Sequence, residues 1–249
     1  MSEAREAPIL ETRALRKTYG ELEVLKGIDL SVQAGERIVV MGSSGSGKST
    51  FIRCLNGLEK TMGGSIVYKG RDITHLNETA WREVRRKMGM VFQDYSLFPH
   101  FTVLRNLCFA PVREKVLSRE DADVRARALL KRVGLYEKAD AYPGQLSGGQ
   151  QQRIAIVRSM MMQPDVMLFD EPTSALDPET VSEVLAIIDD LTTDGLTSII
   201  VTHETGFAQR CANRIVFMDQ GTVLESCPPE VFFDHPATER ARRFVANHK

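Results

Sequence analysis

Short apolar runs alternate with amphipathic stretches along the chain, and that alternation predicts an α/β protein. From Ile9 the residues have strand character, and Ile28, Leu30 and Val32 alternate with Asp29 and Ser31 in the period of two expected of a half-buried strand. An antiparallel sheet is therefore expected to lead the chain. Ile38 to Met41, the GMVFQ stretch ending at Gln93, DVMLFD at Asp165 to Asp170 and TSIIVT before His203 read as buried strands. Between them the period shifts to that of helices. Glu78 to Met88 predicts a charged helix with Trp81, Val84 and Met88 on one face. Ser118 to Val133 predicts another, capped by Ser118, acidic in its first turn at Glu120 and Asp121, and ended by Gly134. A third should run from Ser147, as cap, to about Gln163, and a fourth from Pro178 to Leu191. From Asn213 two short strands and a final helix rich in Arg and Glu complete the pattern.

The run at Ile38 to Met41 leads into the stretch with the clearest chemistry. Gly42, Ser43, Ser44, Gly45, Ser46, Gly47, Lys48 and Ser49 fit G-x-x-x-x-G-K-[ST]. The glycines open backbone conformations closed to other residues, so that successive N–H groups can converge on a phosphate chain at a helix N-terminus. Lys48 supplies a point charge for the β- and γ-phosphates, the Ser49 hydroxyl suits Mg²⁺, and Thr50 can line the same pocket. The bland alternative is a flexible Gly/Ser loop. The apolar run before it and the helix-compatible FIRCLNGLE after it favour the phosphate loop.

Three further stretches gain meaning beside that loop. Ser147, Gly148, Gly149 and Gln150 bare the backbone at a helix start, which makes a second anion-binding terminus or else a loop hinge. Asp170 and Glu171 are adjacent carboxylates at the end of a buried strand: one can hold a Mg²⁺ shell and the next can orient and polarise an attacking water. A solvated cap would explain Asp170 but not its neighbour followed by Pro172. His203 closes another buried strand, where ligands gather in α/β sheets, although a lone histidine is usually structural. Tyr19 sits at a turn between two strands, its ring either packed there or stacked on adenine. Tyr95, Leu97, Phe98 and Phe101 form an apolar cluster broken by Pro99, which is either a contact surface or a loop folded onto its own core. The three methionines at 160 to 162 read as core filler.

Composition narrows the partners. The 249 residues carry 32 Lys and Arg against 33 Asp and Glu, a formal charge of -1, so no global field favours nucleic acid. No apolar stretch approaches the roughly 18 residues needed to span a bilayer, and MSEAREAPIL lacks a basic-then-apolar signal, so the chain is expected in the cytoplasm. Cys54, Cys108, Cys211 and Cys227 are scattered with no C-x-x-C pair, which suits a reducing compartment and argues against zinc.

Taken together, Gly42 to Thr50, Gln93, LSGGQ at Leu146 to Gln150, VMLFDE at Val166 to Glu171, SALD at Ser174 to Asp177 and His203 resemble the nucleotide-binding subunit of an ATP-binding-cassette transporter. The likeness covers almost the whole chain. It implies a single cassette over residues 1–249: a P-loop NTPase core with a mainly parallel sheet, an N-terminal antiparallel β subdomain, and a helical subdomain inserted at about 95–160. It further implies ATP and Mg²⁺ as cofactors, and an ATP-dependent head-to-tail homodimer holding each ATP between the P-loop of one copy and Ser147 to Gln150 of the other. By the same likeness Glu171 is the catalytic base, Tyr19 stacks on adenine, Ser49, Gln93 and Asp170 surround Mg²⁺, His203 touches the γ-phosphate, and Asp177 crosses the dimer interface. Membrane permease subunits would dock near Tyr95 to Phe101, fed by a solute-binding protein, with this chain peripheral on the cytoplasmic face of the bacterial inner membrane.

FIRCLNGLE, LFPHFTVLRN, YPGQLSGGQQQR, DEPTSALDPE and PPEVFFDHP are similar to the bacterial importers of polar amino acids. Ser43, where that branch usually has Pro, and VRSMMM, where alanine-rich sequence is more usual, are departures, neither at a catalytic side chain. Two other readings compete: a transporter of other cargo or opposite direction, and a non-transport cassette protein. The latter usually has two cassettes in one chain or a long coiled coil, and this chain has neither.

Overall fold

The computed structural model describes residues 7–193 and 195–248. Its centre is a six-stranded sheet in the order β10-β9-β3-β8-β7-β6, built from β3 (Arg37–Gly42), β6 (Met88–Val91), β7 (Val166–Asp170), β8 (Thr197–Val201), β9 (Arg214–Asp219) and β10 (Thr222–Cys227). Neighbours from β9 to β6 run parallel, and only β10 pairs antiparallel, on β9. The apolar runs explain this arrangement. In β3, Val39 and Met41 enter one core while Ile38 and Val40 enter the other, so the strand has no wet face. β7 divides in the same way, with Met167 and Phe169 on one side and Val166 and Leu168 on the other.

A four-stranded antiparallel sheet, β2-β1-β4-β5, covers one side of the centre; it comprises β1 (Leu10–Tyr19), β2 (Leu22–Val32), β4 (Gly63–Tyr68) and β5 (Arg71–Asp72). Helices α1 (Lys48–Leu55) and α2 (Glu78–Arg85) share that core through Phe51, Ile52, Leu55, Trp81 and Val84. Met88 is the first residue of β6 rather than the last of α2, so the expected helix is shorter than its apolar face implied. Between β6 and β7 the chain leaves the sheet for α3 (Val103–Arg113), α4 (Arg119–Arg132) and α5 (Gly148–Met160), which bury Leu107, Leu130, Ile154 and Val157 in the other core. α6 (Pro178–Thr192), α7 (Thr205–Cys211), α8 (Pro229–Asp234) and α9 (Glu239–Asn247) complete that face. Ser118 and Ser147 cap α4 and α5 as the sequence predicts, Ser147 in a reciprocal capping box with Gln150. α5 ends three residues short of the expected Gln163.

Candidate nucleotide site

The site is assembled where parallel strands end. β3 runs out at Gly42, whose φ of 149° and contacts leave no room for a side chain: a Cβ there would lie 2.0 Å from the Met218 carbonyl oxygen of β9. The loop then closes on itself. Ser46 N–H donates to the Ser43 carbonyl at 3.2 Å, and Gly47, with φ of 98°, begins α1 at its left-handed N-cap. Ser44 to Thr50 line a cleft of about 360 Å³ together with Leu22, Val24 and Glu171. Lys48 is buried inside this turn and donates from Nζ to the carbonyls of Gly42 at 2.9 Å and Ser43 at 3.0 Å. Burial lowers its pKa, opposed by the nearby carboxylates of Glu171 and Asp170. An ammonium loosened this way from solvent and facing backbone oxygens can exchange those acceptors for the oxygens of a phosphate chain.

The carboxylates stand at the end of β7. Asp170 is 2% exposed and is held by Arg53 of α1, whose Nε at 3.0 Å and second nitrogen at 2.9 Å both contact Oδ2. Oδ1 has no hydrogen-bond partner among the described residues, so one hard oxygen is left for a cation. Mg²⁺ is held by one or two carboxylates plus phosphates rather than by an all-protein cage. The Asp170 carboxylate and the Ser49 hydroxyl, which lines the cleft, are hard oxygens of the kind such a cation takes. Gln93 itself is exposed, two residues beyond the end of β6.

Glu171, which lines this cleft, meets His203, whose Nε2 lies 3.3 Å from Glu171 Oε1. The histidine contact, reinforced by its charge and that of Lys48, holds the Glu171 carboxyl below the ordinary glutamate value despite partial burial. Glu171 also lines a second cleft of about 360 Å³ with Thr173, Ser174, Thr202 and His203. It therefore stands between two open clefts, its carboxylate able to accept a hydrogen bond from water.

The remaining predicted residues lie elsewhere. Tyr19 is 44% exposed, with Lys17 Nζ 4.6 Å from its ring centroid and its phenol against Glu59 and Thr50, and it does not line the cleft. Ser147 to Gln150 and Asp177 gather away from the phosphate loop: a Cβ on Gly148 would meet the Tyr95 hydroxyl at 2.9 Å, and one on Gly149 would meet Thr180 of α6 at 2.0 Å. Asp177 is the N-cap residue of α6 but makes no side-chain cap bond. Within one chain these residues face no phosphate cleft. The aromatic loop is tied down rather than loose. Asn106 bonds to the backbone of Phe98, Phe101 and Thr102, Arg158 donates to the Ser96 carbonyl at 2.6 Å, and Phe98, Phe101 and Phe109 form one ring cluster with Phe98 40% exposed. Beside it an apolar groove of about 560 Å³ runs along α3, lined by Leu104, Cys108, Phe109 and Val112 and flanked by Arg105, Arg113 and Arg119.

Sequence reasoning missed Arg53, Leu22 and Val24. The spacing of a charged residue one turn beyond Thr50 was a signal for Arg53, and period-two patterning in β2 one for Val24; neither specifies a nucleotide contact on its own.

A parallel sheet with a glycine loop clasping a buried lysine at the end of its central strand, and acids ending the strand two places along, defines a P-loop nucleoside triphosphatase. Comparison with known proteins is more specific. The family described as ABC transporter matches residues 25–174, and this chain belongs to it. It is 51% identical to the arginine transport ATP-binding protein ArtM of Bacillus subtilis over 95% of this chain and 98% of that one. It is also 50% identical to the glutamine transport ATP-binding protein GlnQ of the same organism, over 93% and 96%. Among solved structures it superposes on the ATP-binding cassette MJ0796, a dimer in a post-hydrolysis state bound to ADP and Pi, with a TM-score of 0.80, 34% identity, and 88% of this chain and 98% of that one covered. CbiO1 of Clostridium perfringens, part of the ABC transporter complex cbiONQ, gives a TM-score of 0.83 at 31% identity, with 92% of each chain covered. The chain is an ABC-type ATPase. No helix among the described residues is long and apolar enough to cross a membrane.

Proposed function

We propose that this ATPase powers the uptake of polar amino acids, working as a head-to-tail dimer beneath a membrane permease. The observation that carries the cargo class is identity near one half along nearly the whole chain with proteins named for arginine and glutamine transport. In the proposed cycle the amides of Gly42 to Thr50 and the Lys48 ammonium bind the phosphate chain, and Tyr19 stacks on the adenine from the rim. Ser49, Gln93 and Asp170 hold Mg²⁺, which neutralises charge on the β- and γ-phosphates when bound. Glu171 orients and polarises the attacking water, and His203 fixes that carboxylate while facing the γ-phosphate.

The dimer reading is supported by geometry that a lone chain does not use. Ser147 caps a helix terminus whose amides meet no phosphate loop of their own chain. Set against the loop of a second copy, with Asp177 at the seam, that terminus makes ATP part of the interface, so ATP favours the closed dimer by its differential affinity. Hydrolysis and departure of the γ-phosphate remove the preference, and the dimer opens. The arginine-flanked groove along α3 and the aromatic loop at 95–101 suit a short amphipathic helix of a permease on the cytoplasmic face, with a solute-binding protein acting on the far side.

The test is uptake of a panel of labelled amino acids by cells carrying the intact chain or Glu171→Gln in place of the native copy. Loss of uptake for one amino acid group in the variant is expected, with turnover of the purified variant down about 10²-fold or more. Equal uptake of every amino acid by both strains, while the purified wild type hydrolyses ATP, would remove the cargo assignment and leave the ATPase.

A further inference from the structure

The tail helix α9 reaches the phosphate loop through one carboxylate. Asp219, the last residue of β9, is 5% exposed, and both of its oxygens are engaged. Oδ1 accepts from the Ser43 hydroxyl at 2.9 Å and from Arg240 Nη2 at 2.9 Å, while Oδ2 accepts from Arg240 Nε at 2.9 Å. The turn after Asp219 is fastened to the same loop, since Gly221 N–H donates to the Ser46 carbonyl at 3.2 Å. The other end of α9 is tied as well. The Thr205 hydroxyl, two residues past His203, donates to the His248 carbonyl at 3.0 Å.

This arrangement sets an electrostatic problem. An enclosed carboxylate stands one hydrogen bond from a loop that must hold a polyanion, and partly buried charges are weakly screened. The Arg240 guanidinium answers it with a two-nitrogen fork that cancels the charge and fixes the carboxylate at once. Ser43 is then held from behind by the same group, while its carbonyl faces Lys48 in front.

We propose that Arg240 of α9 is a positioning residue for nucleotide binding: it neutralises Asp219 and, through it, holds Ser43 so that the loop amides stay converged on the phosphates. The proposal rests on the reading that Gly42 to Thr50 binds the phosphate chain.

The experiment is fluorescence titration of the purified full chain with a fluorescent ATP analogue, for wild type, Lys48→Ala, Ser43→Ala, Arg240→Ala and Arg240→Ala with Asp219→Asn. Ser43→Ala should weaken binding about 3-fold and Arg240→Ala about 10-fold, the range of one to two lost hydrogen bonds. Adding Asp219→Asn to Arg240→Ala should restore most of that loss, because it deletes the uncancelled charge; a merely structural arginine would show a further loss instead. Arg240→Lys, which keeps the charge without the fork, should fall between wild type and Arg240→Ala, and Arg240→Gln, which removes the charge but keeps much of the side chain, serves if Arg240→Ala does not fold. Wild-type affinity in Arg240→Ala, or weaker binding in the double variant than in Arg240→Ala, would overturn the proposal. If Lys48→Ala binds as wild type the phosphate-loop reading itself falls; if Lys48→Ala loses binding while Arg240→Ala does not, only the role of α9 falls.

Discussion

Glu171 occupies a backbone region that side chains seldom enter, with φ of 47°. The conformation persists because its surroundings fix it from three directions. Its N–H donates to the Val201 carbonyl at 3.1 Å, and its carbonyl accepts from the Ser174 N–H at 3.2 Å and the Ser174 hydroxyl at 3.0 Å. The residue is aimed rather than merely present. Its carboxyl is held below the ordinary glutamate value of 4.5 by the His203 contact first, then by the charges of His203 and Lys48. A depressed folded value means that the ionised form is favoured in the native state. The stabilisation is therefore complete above about pH 4.5 and is lost as pH falls through the lower folded value. Comparing urea unfolding of wild type and Glu171→Gln should show a gap that closes below that pH, and that stays under about 1 kcal/mol above it because the pair is partly solvated. A gap that widens on acidification would reverse the sign of the shift and remove the histidine as its cause.

α4 and α5 were legible because a local signal sits at their ends. Ser118 and Gly134 bracket α4, and the Ser147–Gln150 capping box starts α5, since caps act within one turn and need no tertiary partner. α3 was not legible, because Pro111 lies inside it and the aromatic LFPHF run reads as loop; packing of Val103 and Leu107 into the core overrides both. Met88 misled for the opposite reason, since its apolar side chain serves a strand as readily as a helix face. The phosphate loop and the acids of β7 could be read because their spacing is their chemistry, whereas Asp219 and Arg240, 21 residues apart, meet only through the packing of α9. α5 also carries an unforced cost. Gln152 is fully buried, and neither its amide oxygen nor its nitrogen has a partner among the described residues. Gln152→Met keeps the volume and removes both orphan groups, so it should stabilise the chain by about 1 to 3 kcal/mol, seen as a higher urea midpoint at unchanged slope. A lower midpoint would mean that enclosed water satisfies the amide.

At the scale of the whole molecule, the N-termini of α1 and α5 open in different places. α1 opens on the cleft that Lys48 and Glu171 share, while α5 opens beside Tyr95 and Asp177. In the proposed dimer, a second copy related by a twofold axis would set each α5 terminus against the other chain's phosphate loop. The proposed dimer then has a specific weak point. Ser147→Asp preserves the cap, because Asp caps a helix as well as Ser does, yet it puts a negative charge where the γ-phosphate of the partner's ATP would arrive. In a Glu171→Gln background, where ATP persists, light scattering should show a dimer with ATP and a smaller species without it. With Ser147→Asp added, the ATP-bound dimer should be lost while ATP affinity per chain stays within about 3-fold, since the loop at Gly42 to Thr50 is untouched. A dimer of undiminished strength in the Ser147→Asp variant would mean that the α5 terminus does not meet the nucleotide, and the head-to-tail arrangement would have to be given up.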